Sequence, residues 1–167
     1  MTSLALAARN YLAEKSDLTA LLGSNGLFPT WIFVDSPEEN IETTGKAMVV
    51  ISVLDGWAGA NEHNTARFPR LTVDIWVDPT RNPDGSVRKK DAKIRAEAIY
   101  KVIDKYLHLV SKSLPDGSSI FWGTPAQIAD KTGTRVVSSV RDGEPSYSPA
   151  FDDQGAYMAT LRYNVTV

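Results

Sequence analysis

Every second residue of the segment from Ala156 to Val167 is apolar, starting at Tyr157. This period of two is typical of a β-strand that turns one face toward a protein core. The segment contains neither proline nor lysine, the residues that keep exposed edge strands from pairing with other chains. We therefore predict that this strand lies inside a sheet or is covered by a neighbouring subunit. Its predicted core face consists of Tyr157, Ala159, Leu161, Tyr163, Val165 and Val167, and its other face of Met158, Thr160, Arg162, Asn164 and Thr166.

Other segments also have strand character, and two of them set further limits on the sheet. The segment Ala47–Leu54 is apolar on both faces, which predicts a strand in the middle of a sheet or beneath a helix. In Phe68–Val77 apolar residues again alternate with polar ones, and Pro69 predicts an edge or a bulge near its start. The remaining predicted strands cover residues 31–34, 120–122 and 134–140.

One long helix is predicted from Val87 to Val110, because its apolar residues recur every three or four positions. Two shorter helices are predicted near the start of the chain, one capped by Ser3 and one that is signalled by Ser16 and stopped by Gly23. The succession of helices, strands, a long helix and more strands predicts an α+β fold with a mostly antiparallel sheet packed against the long helix and an N-terminal helix. The apolar stripe of the long helix consists of Ile94, Ala98, Ile99, Val102, Ile103, Tyr106, Leu107 and Val110.

Length and composition limit the class of protein. A chain of 167 residues, 43% apolar and 23% charged, is typical of one soluble globular domain, which we expect to span residues 1–167. The chain has no cysteine, which excludes disulfides, thiolate catalysis and cysteine-ligated metals. No basic region precedes an apolar one at the start, and no apolar run approaches the roughly 20 residues that span a bilayer. We therefore expect no signal peptide and no association with membranes.

Charge is unevenly distributed along the chain. The net charge of −2 does not indicate a general affinity for nucleic acid. Residues 81–112 nevertheless contain nine basic and four acidic side chains, a net charge of +5, so the rest of the chain carries −7. A basic segment of this kind is typical of a solvated surface, and so is the acidic cluster at residues 35–42. The acidic side chains form a cluster with no basic neighbour before Lys46, namely Asp35, Glu38, Glu39 and Glu42.

We find no convincing pattern for a catalytic, cofactor-binding or metal-binding site. His63 follows Glu62 in a polar segment, but no second histidine lies nearby to complete a set of metal ligands. His108 lies at the end of the predicted long helix, where a surface role is expected. Gly56 and Gly59 do not form a phosphate-binding motif, since no helix follows them. We therefore predict that the protein is not an enzyme and that it binds no cofactor and no metal.

A series of sequence patterns, none of them strict, occurs in an order known from one protein family. The patterns are a helical turn that ends in Leu-Leu-Gly at 21–23, a Phe-Pro step at 28–29, a strand at 47–54, a Val-Asp-Ile-Trp run at 73–76, a long helix at 92–107 and a regular strand at 158–165. In this order, and over nearly the whole chain, the sequence resembles the tail terminator (tail completion) proteins of long-tailed, siphovirus-like bacteriophages. It departs from that family in residues 123–155, a segment longer than the compact family core requires.

The resemblance implies a structural virion protein without catalytic residues. It implies a homohexameric ring that caps the tail tube, ends tube polymerisation and offers a surface for head–tail joining. The implied partners are further copies of the chain, the tail tube protein and a head–tail connector or neck protein. The implied location is the tail–neck junction of the virion, after assembly in the host cytoplasm.

Two sets of residues are candidates for contacts within such a particle. Genomic DNA would pass through the lumen of the ring without specific binding, and tight phosphate binding would slow that passage. An acidic lining is therefore expected, and its candidates are Glu38, Glu39 and Glu42. The candidates for a docking loop are Trp57, Glu62, His63 and Arg67.

Two alternative functions remain open at this point. Another neck or head–tail connector protein would share the same small α+β plan. A small ligand-binding domain or enzyme would use the segment 55–67 as a lid over its site. A discrete ring in solution would favour a structural protein, whereas a monomer with a deep pocket would favour an enzyme.

Overall fold

A computed structural model describes residues 3–22, 32–35, 46–54, 69–108, 120–149 and 157–167. Over these residues the chain forms helices and strands in the following order: α1 (Leu4–Ala13), α2 (Ser16–Leu22), β1 (Ile32–Val34), β2 (Ala47–Leu54), β3 (Arg70–Val77), α3 (Lys89–Leu107), β4 (Ile120–Trp122), α4 (Pro125–Ala129), β5 (Thr134–Val136), β6 (Ser138–Arg141), β7 (Ser146–Pro149) and β8 (Tyr157–Thr166).

Six of the strands form one sheet in the order β1–β2–β3–β8–β6, and β7 pairs with β8 next to β6. Strand β1 is parallel to β2, and the other pairings in this sheet are antiparallel. Strand β8 lies between β3 on one side and β6 and β7 on the other, which confirms that the last strand is internal. Strand β2 is also internal, as its two apolar faces predict. The predicted α+β class with a mostly antiparallel sheet is confirmed.

One face of the sheet, which we call the inner face, forms the hydrophobic core together with α1 and α3. The alternation predicted for β3 is observed, because Leu71, Val73, Ile75 and Val77 are all buried while the residues between them are half-buried. Burial of one such aliphatic side chain contributes roughly 1.5–3 kcal/mol to folding. The same alternation buries four residues of β8, namely Ala159, Leu161, Tyr163 and Val165.

Helix α3 is shorter than the predicted 87–110, and its buried stripe differs from the predicted one. Ile94 was predicted to face the core but is 56% exposed, so that assignment was wrong. The small side chains of Ala92 and Ala96, both fully buried, allow α3 to approach the sheet closely and fix its rotation. Since successive helical residues are about 100° apart, Ile94 is turned about 200° away from Ala92. The remaining buried residues of the stripe are Ile99, Ile103 and Leu107.

The predicted strand 134–140 is interrupted at Val137, so the prediction of one continuous strand was wrong. Strand β5 pairs with β4 in a separate two-stranded sheet, whereas β6 pairs with β8 in the main sheet. Val137 itself donates its main-chain N–H to the carbonyl oxygen of Thr166 at 2.8 Å. The apolar pattern of a segment does not specify which of two partners each half will pair with.

The unit formed by β4, α4 and β5 contains a helix that the sequence analysis did not predict. Helix α4 begins with a capping box in which the Thr124 hydroxyl and the Gln127 side chain each accept a hydrogen bond from the other residue's main-chain N–H. Gly133 returns the chain so close to β4 that a Cβ atom there would lie 2.7 Å from the carbonyl oxygen of Trp122. The fully buried Trp122 ring stacks on Tyr11 of α1 with 6.0 Å between ring centroids, which anchors the unit to the domain.

Both predicted N-terminal helices are present. The Ser3 hydroxyl accepts a hydrogen bond from the main-chain N–H of Leu6 at 3.2 Å, which confirms the predicted N-cap of α1. Helix α2 covers residues 16–22 and so ends directly before the predicted stop at Gly23. Within the described ranges, no helix is long and apolar enough to cross a lipid bilayer.

Candidate functional site

The residues that sequence analysis selected as contact candidates all lie outside the described residues. This applies to Glu38, Glu39 and Glu42 and equally to Trp57, Glu62, His63 and Arg67. The described ends of their segments are nevertheless placed. The first segment ends at Lys46, whose carbonyl accepts a hydrogen bond from Asp78, and the second leaves and rejoins the sheet where Leu54 pairs with Arg70. These two points are at opposite ends of strand β2.

The face of the sheet opposite the core, which we call the outer face, carries a row of large apolar side chains. Met48 on β2, Trp76 on β3 and Met158 on β8 are direct neighbours in the register of the three strands. All three side chains are half-buried, and Val50 in the adjacent row is almost fully buried. A row of this kind is suited to packing against protein, because aromatic residues and methionine are enriched where two protein surfaces meet.

The rest of the outer face is polar. Thr160 of β8 donates a 2.6 Å hydrogen bond to the carboxylate of Asp74 on β3. Farther along the same face, Arg70 forms a 3.2 Å salt bridge with Asp142 that passes across β8. Both partners of that salt bridge are more than two-fifths exposed, so it contributes little to stability. The outer face therefore has an apolar row at one end of the sheet. Toward the other end it has a hydrogen bond and an exposed salt bridge.

A second group of polar residues, which we call the Arg141 cluster, joins α3 to β6 and β8. The Arg141 guanidinium donates hydrogen bonds to Asp104 Oδ2 at 2.9 Å and to the Tyr100 hydroxyl at 2.6 Å. Tyr163 on the core face of β8 donates its hydroxyl to Asp104 Oδ1 at 3.1 Å. The main-chain N–H of Arg141 donates to Nδ1 of His108 at 3.0 Å. The cluster consists of Tyr100, Asp104, His108, Arg141 and Tyr163.

The protonation states within the Arg141 cluster follow from burial and charge. Burial of Tyr163, together with the nearby negative charge of Asp104, raises the pKa of its phenol well above the ordinary value. The phenol therefore remains a hydrogen-bond donor throughout the neutral range. Because both carboxylate oxygens of Asp104 accept hydrogen bonds within the cluster, the group is suited to holding elements together.

A third group, which we call the Asp17 cluster, joins α2 to α3. Asp17 accepts hydrogen bonds from the Tyr106 hydroxyl at 2.9 Å and from Lys105 Nζ at 3.1 Å. Desolvation is the largest single influence on the Asp17 carboxyl and raises its pKa, but the hydrogen bonds from Tyr106, Lys105 and the Leu18 main chain, together with the Lys105 charge, outweigh it and lower the pKa. Lys15 Nζ lies over the Tyr11 ring at 4.0 Å from its centroid, which connects this group to α1 and to the stacked Trp122.

The described residues contain no group of three or more histidine, aspartate or glutamate side chains that could hold a metal ion. His108 is already engaged through Nδ1 with the main chain of Arg141.

The Arg141 cluster and the apolar row of the outer face were not predicted from the sequence, although weak signals existed for both. Arg141 ends strand β6, one residue beyond the predicted strand at 134–140. The hydroxyl of Tyr163 on an otherwise apolar strand face requires a partner when it is buried, which is a general signal for a buried polar cluster. Trp76 and Met158 belong to strand faces that are otherwise polar. A large apolar residue on a polar strand face is a signal that this part of the face packs against other protein atoms.

Comparison with solved structures identifies a chain of similar fold in the structure described as the virion of a native gene transfer agent (GTA) particle. The match has a TM-score of 0.53 and 14% sequence identity, and it covers 98% of this chain and 94% of that chain. No protein-family model and no curated protein matches the sequence. At this level of identity, the similarity shows a shared fold over nearly the whole length of both chains.

Proposed function

We propose that this protein is a structural component of a phage-like virion, and that it acts as a tail terminator. The observation that carries the proposal is the similarity of fold, over 98% of the chain, to a chain from a virion of a gene transfer agent particle. The sequence resemblance to tail terminator proteins points to the same class of particle independently of that match. The absence of a metal-binding cluster from the described residues is compatible with a structural role.

The proposed role follows from the way a tail tube grows. A tube made of identical rings presents the same open end after each addition, so growth continues until another protein occupies that end. A terminator must bind the last ring of the tube while offering a different surface on its far side. A ring closed by head-to-tail contacts between copies has two unlike faces and meets both requirements. We propose a homohexamer of this kind, with the tube protein on one side and a connector or neck protein on the other.

Within this ring we propose a place for each of the two sets of contact candidates from the sequence. Glu38, Glu39 and Glu42 would line the lumen, through which DNA passes without specific binding. Replacing all three with lysine is then expected to slow or block DNA ejection while particles still assemble. Trp57, Glu62, His63 and Arg67 would form part of the surface that docks on the tube or the neck. Normal ejection kinetics in the triple lysine variant would show that the three glutamates do not line the lumen.

A deletion experiment tests the role itself. Particles produced without this protein are expected to yield full heads and separate tails that are abnormally long or unable to join heads. Supplying the protein from a plasmid should restore tail length and joining. If tails of normal length form but remain separate from heads, the protein is a connector instead of a terminator. If tails of normal length join heads in its absence, the proposed role is wrong.

The assembly state separates the structural proposal from an enzymatic one. The purified chain, alone and mixed with tube ends, is expected to form discrete rings in native mass spectrometry and in negative-stain micrographs. A stable monomer that shows no binding to tube ends would contradict the proposal.

A further inference from the structure

The side of helix α3 that is turned away from the sheet carries an exposed apolar residue between two lysines. Ile94 is 56% exposed, and Lys90 and Lys101 are exposed as well. At about 100° per helical residue, these three side chains lie within about 40° of one another around the helix axis. The buried Ala92 and Ala96 lie on the opposite side of the helix, toward the sheet. We call Lys90, Ile94 and Lys101 the Ile94 stripe.

The Ile94 stripe is positively charged, because its lysines have no acidic partner. Among the described residues, no salt bridge includes either of them. The neighbouring charges on α3 are compensated, since Lys93 and Glu97 are 4.0 Å apart and Lys105 pairs with Asp17 at 3.1 Å. The stripe therefore presents two unpaired positive charges around an apolar centre.

The apolar row of the outer face has the opposite pattern of charge. Asp74 and Asp78 are each two residues from Trp76, so all three side chains point to the same side of β3. The main-chain N–H of Asp78 donates to the carbonyl of Lys46 at 2.8 Å, which makes Lys46 its neighbour on β2. Lys46 offsets one of the two carboxylates, so the surroundings of the row keep one net negative charge. The arginines of the outer face lie toward its other end.

The spacing of the charges on the two surfaces also matches. Asp74 and Asp78 are about 14 Å apart along an extended strand, and Lys90 and Lys101 are about 17 Å apart along the helix. The flexible stems of the lysines cover the difference of about 3 Å. Each surface thus has an apolar centre between two charges, with carboxylates on the sheet and ammonium groups on the helix.

We propose that the Ile94 stripe of one copy docks on the apolar row of the next copy, with Ile94 against Trp76 and the lysines against the two carboxylates. The inference rests on the proposed function, from which it takes a second copy of the chain as the partner. Apolar residues at the centre and polar groups at the rim are the usual composition of a contact between proteins. The charges orient the two copies and keep like surfaces apart.

Such a contact joins two unlike surfaces of the domain. Helix α3 packs on the inner face of the sheet, so the Ile94 stripe and the outer face lie on opposite sides of the molecule. The contact repeats from copy to copy, and it closes when each copy is rotated by a whole fraction of a turn, about 60° for six copies. It therefore supplies the head-to-tail contact that a ring requires.

Double-stranded DNA is a less suitable partner for the Ile94 stripe. DNA is bound through several basic groups that contact phosphates, whereas the stripe has two lysines with a large apolar side chain between them. Contact with phosphates would leave Ile94 without an apolar partner. The observations therefore favour a protein surface, and binding of DNA becomes an outcome of the test.

Charge reversal on each surface in turn tests the contact. In Lys90→Glu/Lys101→Glu the stripe becomes negative, and in Asp74→Lys the surroundings of the row become positive. Each variant alone is expected to associate roughly tenfold or more weakly than the natural chain, because like charges then face each other. An equal mixture of the two variants should recover the association, since each reversed stripe then meets a reversed row. Native mass spectrometry separates the two chains by mass and should show rings with equal numbers of both.

Further variants control for folding and for apolar exposure in general. Met158→Lys adds a positive charge to the row without removing the hydrogen bond between Asp74 and Thr160, and it should pair with the stripe variant in the same way. Ile94→Thr should weaken association, whereas Val137→Thr should not, although both residues are 56% exposed. Circular dichroism shows whether each variant is folded.

Three outcomes would overturn this contact while the terminator role stands. They are rings of Lys90→Glu/Lys101→Glu as stable as the natural ones, a mixture of folded variants that does not recover association, and a natural chain that binds tube ends only as a monomer. Binding of a short DNA duplex that is lost in the stripe variant, with ring formation unchanged, would assign the stripe to nucleic acid. The terminator role itself is decided separately, by tail length in the deletion experiment.

Discussion

Arg141 on β6 donates a 2.9 Å hydrogen bond to Asp104 on α3, and the two residues are 37 positions apart in the chain. Each side chain is 21% exposed, so the pair is largely removed from water. Because the other Asp104 oxygen accepts from Tyr163, one carboxylate connects the long helix to two strands at once. This geometry makes Asp104 the residue whose removal most directly separates α3 from the edge of the sheet.

Substitution of Asp104 by Asn is expected to lower the free energy of unfolding by about 2 kcal/mol, because it leaves the Arg141 charge without its partner. Urea unfolding measured by circular dichroism gives this value. The matched control on the same helix is Glu97→Gln, since Glu97 and Lys93 are 4.0 Å apart and exposed. That variant should differ from the natural protein by less than about 0.5 kcal/mol. Equal effects of the two substitutions would contradict the role given to Asp104.

Stability is expected to fall in alkaline solution because of Tyr163. An unfolded tyrosine loses its proton near the ordinary value of 10.0, whereas burial beside Asp104 raises the pKa of Tyr163 in the folded state. Above about pH 10 the folded chain therefore holds more protons than the unfolded chain. The free energy of unfolding then decreases with rising pH, by up to about 1.4 kcal/mol per pH unit for this residue.

Tyr163→Phe tests this pH dependence. The variant should be about 1 kcal/mol less stable near neutral pH, since it lacks the hydrogen bond to Asp104. Its stability should decline less steeply above about pH 10 than that of the natural protein. Some alkaline dependence is expected to remain, because burial also raises the pKa of Tyr11 and Tyr147. Parallel stability curves for the two proteins would exclude Tyr163 as a source of the effect.

Gly133→Ala is expected to destabilise the β4–α4–β5 unit by about 1–3 kcal/mol, because the new methyl group would meet the main chain of Trp122. Thermal unfolding followed by circular dichroism measures this loss of stability. Gly85 serves as the control, since its φ of +84° lies in the left-handed region and no atom lies within 4 Å of the Cβ position. Gly85→Asn should change stability little, because asparagine tolerates this conformation. A neutral Gly133→Ala variant would show that β5 can move away from β4 at low cost.

The apolar row of the outer face is expected to take part in assembly under the proposed function. Trp76→Thr retains a residue that favours strands but removes the largest side chain of the row. It should reduce ring formation or binding to tube ends, measured by sedimentation velocity, while the chain remains folded. Val140→Thr on the same face is the control, because Val140 lies toward the opposite end of the sheet and is 38% exposed. Unchanged assembly in both variants would show that the apolar row is not part of the contact surface.

The sheet was predictable wherever one strand face had to be buried. The alternation in β3 and β8 specifies which side chains face the core, and the apolar character of both faces of β2 specifies an internal strand. The rotation of α3 was not predictable in its first turns, since Ile94 fits a helical stripe as well as Ala92 does. Only contact with the sheet selects the smaller residue.

The candidate contacts were less predictable, because they depend on residues that are distant in sequence. Asp104 and Arg141 carry ordinary surface charges until folding brings them together. Met48, Trp76 and Met158 become neighbours through the register of three strands, which local patterns do not determine. The interruption at Val137 has the same cause. Strand β5 before it pairs with β4 and strand β6 after it pairs with β8, and tertiary structure determines both pairings.

Val137 stands between a residue bound into the small sheet and a residue bound into the main sheet. Peptide planes are rigid, so the chain passes from β5 to β6 only through the few backbone torsions at this point. Branching at the Cβ of valine narrows the torsions available there. Because Val137 also donates its main-chain N–H to Thr166, and Trp122 is buried against Tyr11 of α1, the β4–α4–β5 unit is attached to the rest of the domain at two separate points, and a change at either point is resisted by the other.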